Sequence, residues 1–534
     1  MTTHRESLTA TRDLVRFALR RDRIKLPIWV GGIGLGMLYA VSALPTVYAT
    51  PEERQVRADL MDSPAATMMS GPGYGLDNYS LGAMITNEMV LWLAVPAAMM
   101  SIFLVIRHTR AEEETGRAEL VRSAVVGRHA APVAALIVAL IANAGVAVLT
   151  ALAMMSGDLA VGDSVAVGVG LGMTGLVFAG VATVTAQLTE HARSASSLAM
   201  AVVGTAFLLR AIGDAAEPGG NLVSWLSPLA WGQQMRPFVD LRWWPLLLAG
   251  AVVLGTVAVA YALSGRRDVG AGLLPARLGK AEASASLSTP FGLAFRQQRA
   301  SVIGWGTGLF IFAVASGSLS DSVTEAVAEN PDMAEVFAGQ NPTDGFYATM
   351  ALFFGLLIAA FAVTSVLRLR SEERSGHTEA VLATAVSRSR WISAWLAFTV
   401  LASAFLLAVS GFGIGLGAVS GAAGATVIGE VTLATMAFLP AVLVVIGVAA
   451  ALFGIRPGWS VWVWFLVGYA FFFGMFGALL DLPDLIADIS PFSHLTVMPL
   501  DQLDAVPLIA LAVIAAGLIS VGRALFQHRD LDAP

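Results

Sequence analysis

A charged segment of the sequence occurs twice, at residues 110–128 and again at residues 370–388, and we call these the first and second charged loops. Each copy contains an arginine, two adjacent glutamates, a glycine, a third glutamate and a closing arginine at the same spacing. The residues that this pattern singles out are Arg110, Glu112, Glu113, Gly116, Glu119 and Arg128 in the first loop, and Arg370, Glu372, Glu373, Gly376, Glu379 and Arg388 in the second. The outer glutamates of each set lie seven positions apart, so they share one face of a helix. Carboxylates arranged in this way can form ion pairs with another protein.

Two interpretations of these loops are open from the residues alone. An acidic face that ends in an arginine can be a solvated loop that anchors the chain at a membrane, and nothing more. The recurrence of the same charge order in both copies favours the other interpretation, a surface that binds a soluble partner. The glycine weakens a helix, and it either ends a short turn or lets a partner backbone approach closely.

Residues that could catalyse a reaction or bind a metal or a nucleotide are scarce. The sequence has no cysteine, which excludes disulfides and cysteine-ligated metals, and its seven histidines lie without metal-ligand spacing. A phosphate-binding loop needs the pattern Gly-x-x-x-x-Gly-Lys-Ser/Thr, and neither Lys25 nor Lys280, the two lysines of the chain, lies in it. We therefore predict no catalytic site, no metal site and no ATP-binding site in this chain. A membrane enzyme that acts on lipid is a minor alternative, because no cluster of Asp, His or Arg that would serve it is visible.

The elements that position the charged loops are predicted to be membrane-spanning helices. Of the 534 residues, 56% are hydrophobic and only 13% are charged, whereas soluble domains carry about 25% charged residues. A helix needs about 20 apolar residues to cross a bilayer. Twelve such runs are present, at residues 25–48, 82–106, 131–155, 165–188, 197–215, 244–264, 299–320, 345–367, 392–420, 429–453, 459–480 and 505–525. The predicted fold class is an all-α polytopic membrane protein.

The distribution of basic residues predicts the orientation in the membrane. Most of the 32 Lys and Arg residues fall in or beside segments on the same side as the N-terminus, including both charged loops. The positive-inside rule makes that side cytoplasmic, and an even number of spans returns the C-terminus to it. We expect a multi-pass protein of a bacterial cytoplasmic membrane with both termini in the cytoplasm. The net charge of −6 combines this basic side with an acidic opposite side, and it implies no nucleic-acid partner.

Further echoes extend the repeat to the whole chain. Arg267-Asp268, after the sixth span, has its counterpart in Arg529-Asp530, after the twelfth. Each half begins and ends on the same side of the membrane, so the two are parallel repeats related by an axis along the membrane normal. The predicted organisation is a first half at residues 1–264, a flexible linker at residues 265–290 and a second half at residues 291–534.

Short helices are expected outside the spans as well. Residues 8–23 are predicted to form an amphipathic connecting helix at the membrane surface before the first span, with an unstructured basic leader as the alternative. Its arginines recur at helical spacing and are Arg12, Arg16, Arg20 and Arg23. On the opposite side of the membrane, we expect re-entrant or interfacial helices within residues 49–80, 216–243, 321–344 and 481–504.

The charged loops carry a resemblance to a known family. The order acidic-acidic-x-x-Gly-x-x-Glu, with an apolar-Ser/Gly-Arg ending after the second span, resembles the cytoplasmic loop of ABC exporter permeases of the type 2 family. The chain looks most like the long, fused actinobacterial permeases described as polyketide-antibiotic or multidrug exporters, and the resemblance covers both halves. It implies that the loops are coupling helices docking into two copies of a nucleotide-binding ATPase subunit, with residues 8–23 as the connecting helix. ATP and Mg²⁺ would be bound by that partner, and this chain would hold no cofactor.

The resemblance also implies a substrate path between the second and fifth spans of each half. Few charges lie inside the spans, so we expect the cargo to be a small hydrophobic or amphiphilic compound, such as an antibiotic or drug, that moves next to membrane lipid. Aromatic residues on such helices often face lipid or neighbouring helices instead. The aromatic candidates for the path are Trp92, Phe103, Phe207, Phe353, Phe354, Trp462, Phe465, Tyr469, Phe472 and Phe473.

An ion-gradient-driven secondary drug transporter is the alternative function. Such carriers keep ionisable residues inside their spans because a charge in the membrane is costly unless it has a purpose, and the candidates here are Glu88 and Arg210. Glu88 is either a coupling residue or a carboxylate that reaches the outer water. Twelve spans in two halves also fit major-facilitator carriers, but their basic, Gly-rich loop is replaced here by an acid-rich one. The ATP-driven exporter is therefore the preferred interpretation.

Overall fold

The computed structural model describes residues 7–62, 64–268, 270–274, 282–321, 342–420, 423–476, 488–496, 498–500 and 503–531. The chain divides into two compact units, Met1–Gly279 and Lys280–Pro534. This division falls inside the predicted linker at residues 265–290. Over the described residues both units consist of helices and contain no strand, which confirms the all-α fold class.

Among the described residues, twelve helices are long and apolar enough to cross a membrane, which agrees with the predicted number of spans. The helices of the first unit are α1 (Thr11–Arg21), α2 (Lys25–Val47), α3 (Pro51–Met61), α4 (Pro64–Ser70), α5 (Leu81–His108), α6 (Arg110–Glu114), α7 (Arg117–Arg122), α8 (Ala130–Met155), α9 (Val161–Leu188), α10 (Ala192–Ala216), α11 (Leu222–Trp225), α12 (Trp231–Gln234) and α13 (Pro245–Ser264). Those of the second unit are α14 (Pro290–Gly317), α15 (Pro342–Arg374), α16 (His377–Leu382), α17 (Arg388–Val419), α18 (Thr426–Met436), α19 (Leu439–Ile455), α20 (Val463–Phe476) and α21 (Ala505–His528).

The connecting helix is present as α1, and a proline explains where it stops. Proline has no backbone N–H and its ring clashes with the carbonyl four residues earlier, so a helix cannot run unbroken through Arg23 and Pro27. The first span therefore starts separately at Lys25, with Pro27 in its first turn. The matching position in the second unit is Ile303, and there the equivalent segment and the span form the single helix α14.

Glycines in α17 bring neighbouring helices close together, because a residue without a side chain lets the backbones approach. A Cβ atom on Gly417 would lie 2.1 Å from the carbonyl oxygen of Val314 in α14. On the adjacent face, a Cβ on Gly415 would lie 2.5 Å from the Cα atom of Ile428 in α18. The glycines therefore serve contacts between helices within the second unit.

The short helices expected beyond the other ends of the spans are found in the first unit. Helices α3 and α4 lie within residues 49–80, and α11 and α12 lie within residues 216–243. The expectation for residues 321–344 falls almost entirely outside the described residues. In the segment 481–504, residues 488–496 and 498–500 form turns and bends. Residues 481–487, 497 and 501–502 lie outside the described residues, so the expectation of a short helix there stays a prediction.

Candidate functional site

Each charged loop is a helical segment, a glycine and a second short helix. In the first loop α6 and α7 flank Gly116, and in the second loop Gly376 separates the end of α15 from α16. The two glycines have φ values of 71° and 73°, a left-handed conformation that favours glycine. A Cβ atom on either would meet no atom within 4 Å. Each glycine therefore ends the preceding helical turn, and the second role considered above, close approach of a partner backbone, stays a prediction.

One glutamate in each loop is held by an arginine that follows the last span of its unit. Glu113 accepts two hydrogen bonds from the Arg267 guanidinium, both of 2.8 Å. Glu373 accepts two from Arg529, both of 2.6 Å. The two carboxylate side chains are only 10% and 1% exposed, respectively. An arginine that donates two parallel hydrogen bonds to one carboxylate forms a strong pair, and the pair fixes the geometry of the guanidinium and the carboxylate.

The closing arginine of each loop attaches it to the end of the same last span. Arg128 donates from Nη2 to the carbonyl oxygen of Ser264, the final residue of α13, at 2.9 Å. Arg388 donates from Nη1 to the carbonyl oxygen of Arg529, just beyond α21, at 2.6 Å. The carbonyls at a helix C-terminus lack helical partners, and a cation there is favourable. Both arginines therefore act as helix caps inside their own unit.

The other adjacent glutamate of each loop contacts the connecting segment before the first span. Glu112 forms an ion pair with Arg21 at the end of α1. Glu372 accepts a hydrogen bond of 3.2 Å from the side chain of Gln297, which occupies the position that matches Arg21. In both units, the first of the two adjacent glutamates therefore connects the charged loop to the segment before the first span of that unit.

The beginning of the predicted linker is packed in the first unit. The Arg110 guanidinium, which is 1% exposed, donates hydrogen bonds to the carbonyl oxygens of Gly270 and Ala271 and to that of Glu190. The backbone N–H groups of residues 273 and 274 donate to the end of α9. The expectation of a flexible linker is therefore wrong for residues 265–268 and 270–274, because backbone and arginine hydrogen bonds hold them against the loops. A cavity of about 120 Å³ lies beside these contacts and is lined in part by Glu112 and Glu113.

The glutamates predicted to face a partner therefore divide into two groups. Glu112, Glu113, Glu372 and Glu373 are engaged within their own unit, so the expectation that they present their charge to a partner does not fit their placement. Arg128 caps a helix but is exposed, and the role of the closing arginines toward a partner stays a prediction. Glu119 and Glu379 are exposed, and neither has an ion pair among the described side chains. The exposed face also carries large apolar groups in the first loop. These are Leu120, which is 76% exposed, and Val125, which is 86% exposed.

The arginines of the connecting helix lie on its free surface. Arg12, Arg16, Arg20 and Arg23 are all exposed. The opposite face of the helix packs on the first unit through Ala18, which is 4% exposed, and contacts α8. This arrangement agrees with the predicted amphipathic helix, because the apolar face is packed against the unit and the arginines are on the exposed face.

The aromatic candidates for a substrate path have different environments within their units. Phe354 is fully buried, and its ring packs against those of Phe312 and Phe353. It is therefore a core residue and the prediction that it lines a path is wrong. Phe207 lies under the guanidinium of Arg210, with its ring centre 5.1 Å away. The candidates exposed on the surface of their unit remain predictions, and they are Trp92, Phe103, Trp462, Phe465 and Phe472. Tyr469 and Phe473 are partly buried, and their rings contact each other at a tilt of 32°.

The two ionisable candidates for ion coupling, Glu88 and Arg210, are paired. Glu88 is 6% exposed and accepts two hydrogen bonds, of 3.0 and 2.9 Å, from Arg57 of α3. Burial alone would lower the pKa of Arg57, but the Glu88 carboxylate outweighs it and the pKa is raised. The idea that Glu88 reaches the outer water is thus wrong, because Arg57 covers it.

Arg210 is also enclosed. It pairs with Asp214 at 3.0 Å, and both side chains are 0% exposed. Its guanidinium further donates to the carbonyl oxygens of Thr67 and Met68 in α4. The Arg57–Glu88 pair therefore attaches α3 to the second span, and the hydrogen bonds from Arg210 to Thr67 and Met68 attach α4 to the fifth span.

The arginines that hold the loops were the residues that sequence reasoning missed. Arg267 and Arg529 were visible as an echo in the sequence, but the echo did not reveal which acidic residue each contacts. The sequence did contain a signal for these contacts. Each half has an arginine after its last span and a glutamate after its second span, at matching positions.

The fold and the loops define a class: an all-α membrane protein of two repeated six-span halves, each with an anchored charged loop after its second span. A sequence profile of the family "Multidrug efflux system permease Rv1217c, C-terminal domain" matches residues 287–527. The chain is also 39% identical over 542 positions to the multidrug efflux system permease protein Rv1217c of Mycobacterium tuberculosis, covering 99% of this chain and 96% of the relative. The chain belongs to the family of this efflux permease.

Proposed function

We propose that the chain is the membrane-spanning permease subunit of an ATP-driven exporter of the ABC type. In this proposal it carries hydrophobic or amphiphilic compounds, such as antibiotics or drugs, out of the cell. The family supports the permease role, since its mycobacterial relative is named as part of a multidrug efflux system. Two separate nucleotide-binding subunits bind ATP and Mg²⁺ and supply the energy.

The observation that carries this proposal is the shared attachment of the two charged loops. In each unit a buried glutamate–arginine pair and a capping arginine fix the loop to the end of the last span, and a second glutamate contacts the connecting segment. A loop attached at several points moves with the helices it is attached to. It can therefore convert a movement of a docked subunit into a movement of spans, which is what a coupling element requires.

The surface left for docking is the exposed face of each loop. Glu119 and Glu379 provide a carboxylate in both loops, and Leu120 and Val125 add apolar area in the first. Apolar side chains gain about 25 cal/mol for each Å² removed from water. A soluble subunit with an apolar pocket and a basic rim matches this surface.

The chain supplies no energy source of its own in this proposal. Neither of its lysines lies in a phosphate-binding pattern, and ATP hydrolysis is assigned to the partner. The alternative of ion coupling needs a titrating group in the spans, whereas Glu88 and Arg210 are each engaged in an ion pair. The loops, the connecting helix and both termini are placed on the cytoplasmic side, where ATP is available.

Co-purification tests the docking surface. The double variant Glu119→Lys/Val125→Asp changes two exposed side chains without touching the anchors. We expect it to lose most of a soluble ATPase subunit that co-purifies with the unchanged chain, while its elution volume and thermal stability remain the same. The control Glu217→Lys makes the same Glu-to-Lys replacement at an exposed position beyond the other end of the fifth span. Retention of the ATPase by the double variant would contradict the proposed docking surface.

A further inference from the structure

The exposed face of the connecting helix is a stripe of arginines at four-residue spacing. With 100° between successive residues, Arg12, Arg16 and Arg20 lie on the side of α1 opposite the buried Ala18. All three are exposed, and no ion pair involves them among the described residues. The next arginine, Arg21, turns to the other side and pairs with the first charged loop. The stripe therefore differs from the loop arginines in having no ion-pair partner among the side chains that the structure describes.

The position of α1 places this stripe at the level of lipid headgroups. The first span begins at Lys25, only a short turn after α1 ends. The helix also contacts α8, the third span, whose first turns contribute Ala131, Pro132 and Ala135 to the lining of the cavity next to α1. A helix that packs beside the starts of two spans lies along the membrane surface.

Apolar side chains next to the stripe are exposed in the same region. Phe17 is 60% exposed and lies between the arginine stripe and the packed face of α1, and Ile24 is 64% exposed in the turn before the first span. An interfacial helix typically combines basic residues with aromatic and aliphatic ones that enter the headgroup–acyl boundary. A soluble protein partner would leave the location of these side chains beside the spans unexplained.

We propose that the connecting helix binds anionic phospholipid through Arg12, Arg16 and Arg20, with Arg23 extending the stripe and Phe17 inserted beside the acyl chains. The recognised chemistry is the phosphate of a lipid with net negative charge. Guanidinium groups suit phosphate because their donors are arranged as a fork. The inference does not depend on the ATPase partner, since it concerns a different face of the protein.

The second unit offers an internal control for this site. At the positions that match Arg12 and Arg16 it has Ser288 and Gly292, and only Arg296 and Arg299 remain. The four-residue stripe is therefore a property of the first unit alone.

Binding of phosphatidylglycerol to the purified full-length chain tests the proposal. The probe is a fluorescent phosphatidylglycerol titrated into protein in neutral detergent, with unlabelled phosphatidylglycerol, phosphatidylcholine and inorganic phosphate as competitors. We expect the variant Arg12→Gln/Arg16→Gln/Arg20→Gln to bind the probe at least roughly tenfold more weakly, because each basic residue near an anionic surface adds to the attraction. The variant Arg296→Gln/Arg299→Gln should stay within about twofold of the unchanged chain. Only unlabelled phosphatidylglycerol should compete.

Several results would overturn the proposal. Equal affinity of the triple variant and the unchanged chain would remove the stripe as the site, and competition by inorganic phosphate would indicate a free-phosphate site. A triple variant that keeps its lipid affinity but loses a co-purifying protein would assign the stripe to that protein. If the triple variant does not fold, the single variant Arg16→Gln must show a smaller but measurable loss of lipid binding, and no loss there also contradicts the proposal.

Discussion

Glu113 and Glu119 are the same residue type in one loop, yet their surroundings give them different roles. Glu113 is 10% exposed and is held by the Arg267 fork, whereas Glu119 is exposed and has no ion pair among the described side chains. Glu373 and Glu379 repeat this difference in the second loop. The inner glutamates therefore shape the loops, and the outer ones are available to a partner.

Removal of the inner charge should destabilise the chain. In the variants Glu113→Gln and Glu373→Gln, Arg267 or Arg529 loses the carboxylate that compensates its buried charge, and breaking one partner of such a pair costs roughly 3–5 kcal/mol. Thermal unfolding in detergent should show a clear decrease in Tm. The matched variants Glu119→Gln and Glu379→Gln should change stability by no more than about 0.5 kcal/mol. Equal Tm values for all four variants would contradict the assignment.

Sequence reasoning at this scale identified the correct residues but not their contacts. The repeat singled out the glutamates, the glycines and the closing arginines. It could not show that Glu113 meets Arg267, because that contact joins residues far apart in the chain and depends on how the last span packs. The charge pattern alone was compatible with both a partner-facing and an internal carboxylate.

At the scale of elements, arginine side chains that contact the second and fifth spans hold the short helices α3 and α4 in the first unit. Arg57 connects α3 to the second span through Glu88, and Arg210 connects the fifth span to α4. The position matching Glu88 in the second unit's repeat is Ala348, so this attachment is confined to the first unit. These contacts explain why charged residues are tolerated within two otherwise apolar spans.

The Arg210–Asp214 pair should be essential for stability and replaceable by apolar residues. Arg210→Met leaves Asp214 buried without its partner, and we expect a loss of roughly 3–5 kcal/mol. The double variant Arg210→Met/Asp214→Leu removes both charges and should recover most of that loss in thermal unfolding measurements. A double variant that is less stable than Arg210→Met would show that the pair is not a mutually compensating unit.

Elements were more predictable than contacts. Long apolar runs gave the twelve spans, because a bilayer imposes a minimum helix length, and Pro27 set the boundary between α1 and α2. The packed start of the linker escaped prediction, since its small polar residues resemble a flexible segment while its order comes from Arg110 and from the end of α9. Phe354 was misassigned because an aromatic residue on a span gives no indication of which side faces the core.

At the scale of the whole molecule, the two charged loops share their anchors but differ on their exposed faces. The positions of Leu120 and Val125 in the first loop are occupied by Ala380 and Ala385 in the second, and Glu114 is replaced by Arg374. If both loops bind copies of one subunit, the first loop offers more apolar area to it. The two docking sites should therefore differ in affinity.

Exchange of the apolar residues between loops tests this asymmetry. Leu120→Ala/Val125→Ala should weaken binding of the ATPase subunit by at least about tenfold, because the variant removes five carbon groups and each is worth about 0.8 kcal/mol when it is fully buried. The reciprocal variant Ala380→Leu/Ala385→Val should leave binding unchanged or strengthen it. Affinity can be measured by titrating the purified subunit onto the immobilised permease. If Ala380→Leu/Ala385→Val weakened binding of the subunit as much as Leu120→Ala/Val125→Ala does, that result would contradict a partner pocket that accepts apolar side chains.

Transport by the purified chain in liposomes tests the central claim that external subunits drive this permease. The measurement is accumulation of a fluorescent amphiphilic dye against its gradient, with and without the co-purifying ATPase subunit and ATP, and with and without a protonophore. We predict uphill transport only when subunit and ATP are both present, and no effect of the protonophore. Uphill transport by the chain alone that the protonophore abolishes would contradict the account.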